Sequence, residues 1–136
     1  MGKRKYAGVD ISNLVFDPAA AAEAAAKFAP KLSAVTRDEA LKIGGIFAER
    51  VRERVDPAAL VFVFGSAVKG EAGLNSDIDI AVVSETNGAD IYAAFANLSG
   101  IAHEINWDIE VHAVAPIDWH KGDPHVFEIK KWGIPV

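Results

Sequence analysis

Leu60-Val61-Phe62-Val63-Phe64-Gly65-Ser66-Ala67-Val68-Lys69-Gly70, then Glu71 to Asn75, then Ser76-Asp77-Ile78-Asp79-Ile80-Ala81-Val82-Val83, is the stretch around which the chain is organised. Its first five residues form an apolar run with the length and the β-branched and aromatic content of a buried strand. Gly65 follows at the strand's end, where a missing Cβ lets backbone N–H groups come close to a ligand. Ser66 adds a hydroxyl, so the turn can hold an anion such as phosphate. Asp77-Ile78-Asp79 then heads a second apolar run, Ile80 to Val83. In a strand, residues i and i+2 point to one face, so the spacing predicts two carboxylates projecting together.

Two carboxylates side by side repel each other unless a cation lies between them. Hard oxygen ligands of this kind suit Mg²⁺, which typically takes one or two carboxylates together with substrate phosphates. A phosphate-holding turn facing such a pair is the equipment for nucleotidyl transfer. Taken singly, Gly-Ser is common in loops and Asp-x-Asp is often a solvated turn. Here both occur in order, between two apolar runs.

On these residues the chain resembles the DNA polymerase beta-like nucleotidyltransferase superfamily, and within it the small minimal nucleotidyltransferases. Their pattern Gly-Ser-x-x-x-Gly…Ser-Asp-x-Asp is met at Gly65, Ser66, Gly70, Ser76, Asp77 and Asp79. The resemblance spans roughly residues 36 to 115. It implies that Gly65, Ser66, Gly70 and Ser76, with Lys69 beside them, form the nucleotide-binding turn. Asp77 and Asp79 would be catalytic ligands of Mg²⁺ in a two-metal site, with an NTP, ATP by analogy, as substrate. Lys69 taken alone reads more readily as a solvated lysine.

Two-metal phosphoryl chemistry calls for a third carboxylate. The superfamily takes it from the next strand, within a hydrophobic–acid–hydrophobic pattern. Asp108 (Trp107-Asp108-Ile109) and Glu110 (Ile109-Glu110-Val111) both fit as metal ligands. Glu110 is preferred as the catalytic one, because His112 two residues on resembles the basic residue that follows the third acid in polymerase-like members. Minimal members often act with a separate HEPN-type helical protein, some as antitoxins that adenylylate it. The resemblance thus implies transfer of an NMP, AMP from ATP, to a protein or small-molecule hydroxyl. The alternative is a non-catalytic nucleotide-binding antitoxin that acts by occupying a partner.

The rest of the chain bounds these readings. Its 136 residues are one domain's worth, with 51% hydrophobic and 24% charged residues, ordinary for a globular protein. There is no cysteine, so thiolate chemistry is excluded and a cytoplasmic setting is expected. A net charge of −5 argues against general nucleic-acid binding. No apolar run approaches a membrane span, and Met1-Gly2-Lys3-Arg4-Lys5 lacks the apolar follow-on of a signal peptide. Homo-oligomerisation is left open by the composition.

Residues 1 to about 17 are expected to be a draped or poorly ordered segment. Ala19 to Ala29 is predicted as an alanine-rich helix carrying a Glu23/Lys27 pair and stopped by Pro30. Thr36-x-x-Glu39 is a capping box opening a helix to about Val55, with Ala40, Gly44, Phe47, Val51 and Val55 as its buried stripe. A turn over Glu85 to Gly88, a helix from Ala89 to about His103, a strand from Trp107 to Val114 and a short helix after Asp123-Pro124 follow. His120 and His125 are read as loop residues, and the three tryptophans as packing. The sum is an α/β (α+β) fold, a small mixed sheet flanked by helices. Residues 1–35 are expected as an extension and 36–136 as a single nucleotidyltransferase domain.

Overall fold

A computed structural model describes residues 5–6, 9–10, 18–20, 22–23, 34–74 and 76–136. The chain divides into two compact units, Met1–Pro30 and Lys31–Val136. In the first unit β1 (Lys5–Tyr6) and β2 (Val9–Asp10) pair antiparallel, with Lys5 opposite Asp10. These four residues are paired strands rather than draped chain; the rest of the segment expected to be draped lies outside the described residues. Residues 18–20 and 22–23 are helical, and the remainder of the alanine-rich helix, with its Glu23/Lys27 pair, lies outside the described residues.

The second unit begins with α1 (Arg37–Arg54). Its capping box forms in both directions: the Glu39 N–H donates to Thr36 Oγ1 at 3.1 Å and the Thr36 N–H donates to Glu39 Oε2 at 3.2 Å. Ala40, Gly44, Phe47, Ala48 and Val51 are its buried stripe; Val55, expected in that stripe, is instead the C-cap and only partly buried against the core. Gly44 lies so close to Val63 that a Cβ there would collide with the valine methyl. Helix and sheet therefore touch backbone to side chain.

The sheet is built from β3 (Leu60–Phe64), β4 (Ile78–Val83), β5 (Ile109–Val114) and β6 (Ile134–Pro135), in the order β5-β4-β3-β6. β4 and β5 run parallel, while β3 pairs antiparallel with β4 and β6. A parallel pair needs a crossover, and here α3 (Ile91–Ile105) supplies it. Between β3 and β4 lies α2 (Ser66–Lys69), a single turn. After β5 come α4 (Pro116–Lys121) and α5 (Pro124–Trp132).

Both sheet faces are covered. On one, Val61, Val63, Ile78, Ile80, Val82, Ile109 and Val111 pack with Phe47 and Val51 of α1 and with Leu98 and Ile101 of α3. On the other, Phe64, Ala81, Val83 and Val114 pack with Val126 and Ile129 of α5. Each such buried side chain contributes about 1.5–3 kcal/mol relative to an exposed one.

Several expectations are corrected. The crossover helix starts at Ile91, because the Asp90 side chain caps it by accepting from the N–H groups of Tyr92 and Ala93. The third strand starts at Ile109 rather than Trp107, because the Asp108 N–H donates to Asn106 Oδ1 at 2.8 Å and holds residues 106–108 in a turn. Pro116 ends β5 but also opens α4 as its first residue, where proline's fixed φ suits a helix start. Trp119 stacks on Phe62, while Trp107 and Trp132 are half exposed rather than packed inside. Among the described residues no helix is long and apolar enough to cross a membrane.

Candidate active site

Strand register decides which acids meet. Asp79 is the second residue of β4, opposite Phe64 of β3 on one side and Glu110 of β5 on the other. Asp79, Glu110 and His112 each offer a ligand atom, all within 4.8 Å of one another. His112 Nε2 lies 3.1 Å from Asp79 Oδ1. Its ring meets Phe64 edge-on at 4.9 Å and leans on His125 of α5 at 4.7 Å between centroids. His112 was legible only as the neighbour of a candidate acid. His125, expected to be a loop residue, instead stands beside the site because Asp123 caps α5 and accepts from the His125 N–H at 3.0 Å.

The two other sequence candidates stand differently. Asp77 lies one residue before β4 and outside the three-residue cluster, although its charge reaches Glu110. Asp108 is in the turn before β5, where its carbonyl accepts from the Ile78 N–H at 2.8 Å. Of the two candidate third acids, only Glu110 belongs to the cluster.

Gly65 links the acids to the turn. It has φ +81°, and a Cβ there would overlap the Asp79 carboxylate. Its role is thus visible in the geometry: it lets the β3–α2 turn lie against Asp79. Ser66 is the first residue of α2, and Gly70 closes that turn in the left-handed region at φ +74°. Ser76 Oγ accepts from the Gly73 N–H at 2.8 Å, so it fastens the loop leading to Asp77. Lys69, read as solvated, is instead ion-paired with Glu128 of α5, with its Nζ 5.2 Å from the Trp132 ring centroid.

The Glu110 carboxyl is held above the usual carboxylate range. Partial loss of water is the largest cause, followed by the hydrogen bond to Asp79 and its charge; His112 acts the other way and Asp77 adds repulsion. Two crowded carboxylates and an imidazole make a donor set that fits a divalent cation, whose charge would remove the repulsion. Beside the cluster, Ile91, Tyr92 and Phe95 of α3 face Val111, His112 and Ala113 of β5 across a recess of about 410 Å³. On α3, Leu98 and Ala102 are buried, but Ile91 and Phe95 are exposed by 38% and 49%.

Among curated proteins none matches the chain. The family model described as nucleotidyltransferase domain matches residues 46–134, a span running from α1 to β6 that holds the Gly65 turn, Asp79 and Glu110. The chain belongs to the nucleotidyltransferase domain family.

Proposed function

We propose that the protein is a Mg²⁺-dependent nucleotidyltransferase that moves a nucleoside monophosphate, AMP from ATP, onto a hydroxyl of a protein or small molecule. The observation that carries this reading is the contact between Gly65 and the Asp79 carboxylate, with Glu110 in register beside it. It sets a turn suited to phosphate against acids suited to a cation. Ser66 and the amides following Gly65 would hold the β- and γ-phosphates, and Asp79 with Glu110 would hold the divalent ions, Asp77 assisting. When bound, the cations supply charge neutralisation for the α-phosphoryl group and the leaving pyrophosphate. The acceptor oxygen forms a bond to the α-phosphorus as the bond to the bridging oxygen of pyrophosphate breaks. The hydroxyl proton would pass to the Glu110 carboxylate.

Acceptor binding is proposed for the recess beside β5. What supports this is its position against His112 and its lining by Ile91, Tyr92 and Phe95, with Tyr92 83% exposed. The same exposed row would suit a helical partner of the HEPN type, in the toxin–antitoxin manner, within the cytoplasm.

The test is transfer from ATP labelled at the α-phosphate, with Mg²⁺, cell extract as acceptor source and an Asp79→Asn control. Label should reach a discrete acceptor with the wild type and fall by at least about 100-fold in the variant, the scale on which lost charge stabilisation acts. Nucleotide binding without any transfer, with extract and partner supplied, would favour a nucleotide-binding antitoxin over an enzyme. Equal transfer by both proteins would remove Asp79 from the site.

A further inference from the structure

We propose that the ion held by Asp79, Glu110 and His112 is a transition-metal ion of the Mn²⁺ type, with His112 Nε2 as its nitrogen ligand. This rests on the reading of the site as a metal-dependent nucleotidyltransferase centre and specifies its metal chemistry.

An all-carboxylate centre would suit Mg²⁺, which takes oxygen ligands and keeps much of its water. Here one of the three convergent donors is an imidazole, with all three ligand atoms inside 4.8 Å. Imidazole suits later first-row ions, while carboxylates suit Mg²⁺, Ca²⁺ and Mn²⁺. Mn²⁺ is the first-row transition ion that carboxylates also suit, so it can take this mixed donor set where Mg²⁺ favours oxygen alone. The ring is also aimed. Phe64 meets it edge-on, at 67° between planes, and His125 leans on it at 38°. Fixed neighbours of this kind orient a ligating histidine. Nε2 faces Asp79 Oδ1 at 3.1 Å, so the ring nitrogen and the carboxylate converge on one point. Mg²⁺ remains the ion that accompanies the triphosphate.

The experiment uses the full chain with Mn²⁺ and Mg²⁺ as probes, with and without a non-hydrolysable ATP analogue. Mn²⁺ binding is read from loss of the free-ion EPR signal, and Mg²⁺ by competition. Pulsed EPR reads the coupling between bound Mn²⁺ and an imidazole nitrogen directly in the wild type, so the result does not hinge on a variant folding. The expected result is nitrogen coupling that survives His125→Ala and vanishes in His112→Ala. In His112→Ala the preference for Mn²⁺ over Mg²⁺ should shrink by at least about tenfold, the loss seen for even an outer partner of a metal ligand. Bound Mn²⁺ without nitrogen coupling overturns the inference and leaves the carboxylate centre standing. So does an unchanged Mn²⁺/Mg²⁺ preference in His112→Ala, or coupling that depends on His125. Binding of neither ion under any condition overturns the centre itself, and the nucleotidyltransferase reading with it.

Discussion

Gly65 is where backbone conformation and chemistry meet. Its φ of +81° lies in the left-handed region, and its α-carbon borders the Asp79 carboxylate. Gly65→Ala would impose both a strained backbone and a clash with a proposed metal ligand. A loss of about 1–3 kcal/mol in stability is expected from the strain, together with loss of divalent-ion binding. Gly70→Ala is the control, because Gly70 has φ +74° but open space around its α-carbon. It should cost only about 1–2 kcal/mol and leave ion binding intact. Urea denaturation and Mn²⁺ titration of the two variants separate strain from collision; equal ion binding in both would show that the Gly65 contact does not position Asp79. The glycine and the aspartate were legible from the sequence as a motif. The reason they belong together was not, because the register Phe64–Asp79 is a property of the paired strands. His125 was illegible for a similar reason: its proximity to His112 depends on how α5 packs on the sheet.

At the scale of elements, long periodic segments were readable and short ones were not. The 18 residues of α1 carry a capping box and a repeating apolar stripe, and β3 and β4 are continuous apolar runs. By contrast, β6 is two residues long and exists because Val63 and Phe62 offer it an edge. No local pattern announces such a strand. The parallel neighbour of β4 was found, but its start was misplaced by the Asn106 side chain, which replaces strand hydrogen bonding with a turn. Gly44 gives the element-scale prediction. In an open helix Gly→Ala would gain about 1 kcal/mol, but here the new methyl meets Val63. Overpacking costs about 1–3 kcal/mol, so Gly44→Ala should destabilise the fold on balance. Gly45→Ala, one residue on with nothing near its α-carbon, should stabilise it. The midpoints of urea unfolding for the two variants should move in opposite directions, and a shift of both the same way would mean that α1 does not press on β3 as described.

At the scale of the whole molecule, two carboxyl groups among the described residues, Asp56 and Glu110, act in opposite directions on stability. Asp56 is held below the usual range by the Ser84 hydroxyl, which donates to it at 2.5 Å, and by the Ala58 N–H. Its contribution is present above the ordinary carboxylate value and is lost as pH falls through the depressed one. Glu110 is raised, so the folded protein holds its proton more tightly than the unfolded chain. Its contribution is present below the ordinary value and is lost as pH rises through the raised one. Above the raised value, without metal, the folded protein carries an ionised Glu110 against Asp79 and Asp77, a repulsion that a bound cation removes. Glu110→Gln should stabilise the metal-free protein at neutral pH by about 0.5 kcal/mol, small because the group is largely exposed. That advantage should fade as pH falls through the raised value and wild-type Glu110 takes up its proton. Added Mn²⁺ should reverse the order, since an ion at 100 times its Kd stabilises the wild type by about 2.7 kcal/mol and the variant lacks one of its ligands. Thermal melts of both proteins across mildly acidic to neutral pH, with and without Mn²⁺, check each step. A variant advantage that does not change with pH would place its origin elsewhere than in the acid cluster, whereas one that Mn²⁺ reverses ties the fold's pH response to the same three side chains that the chemistry needs.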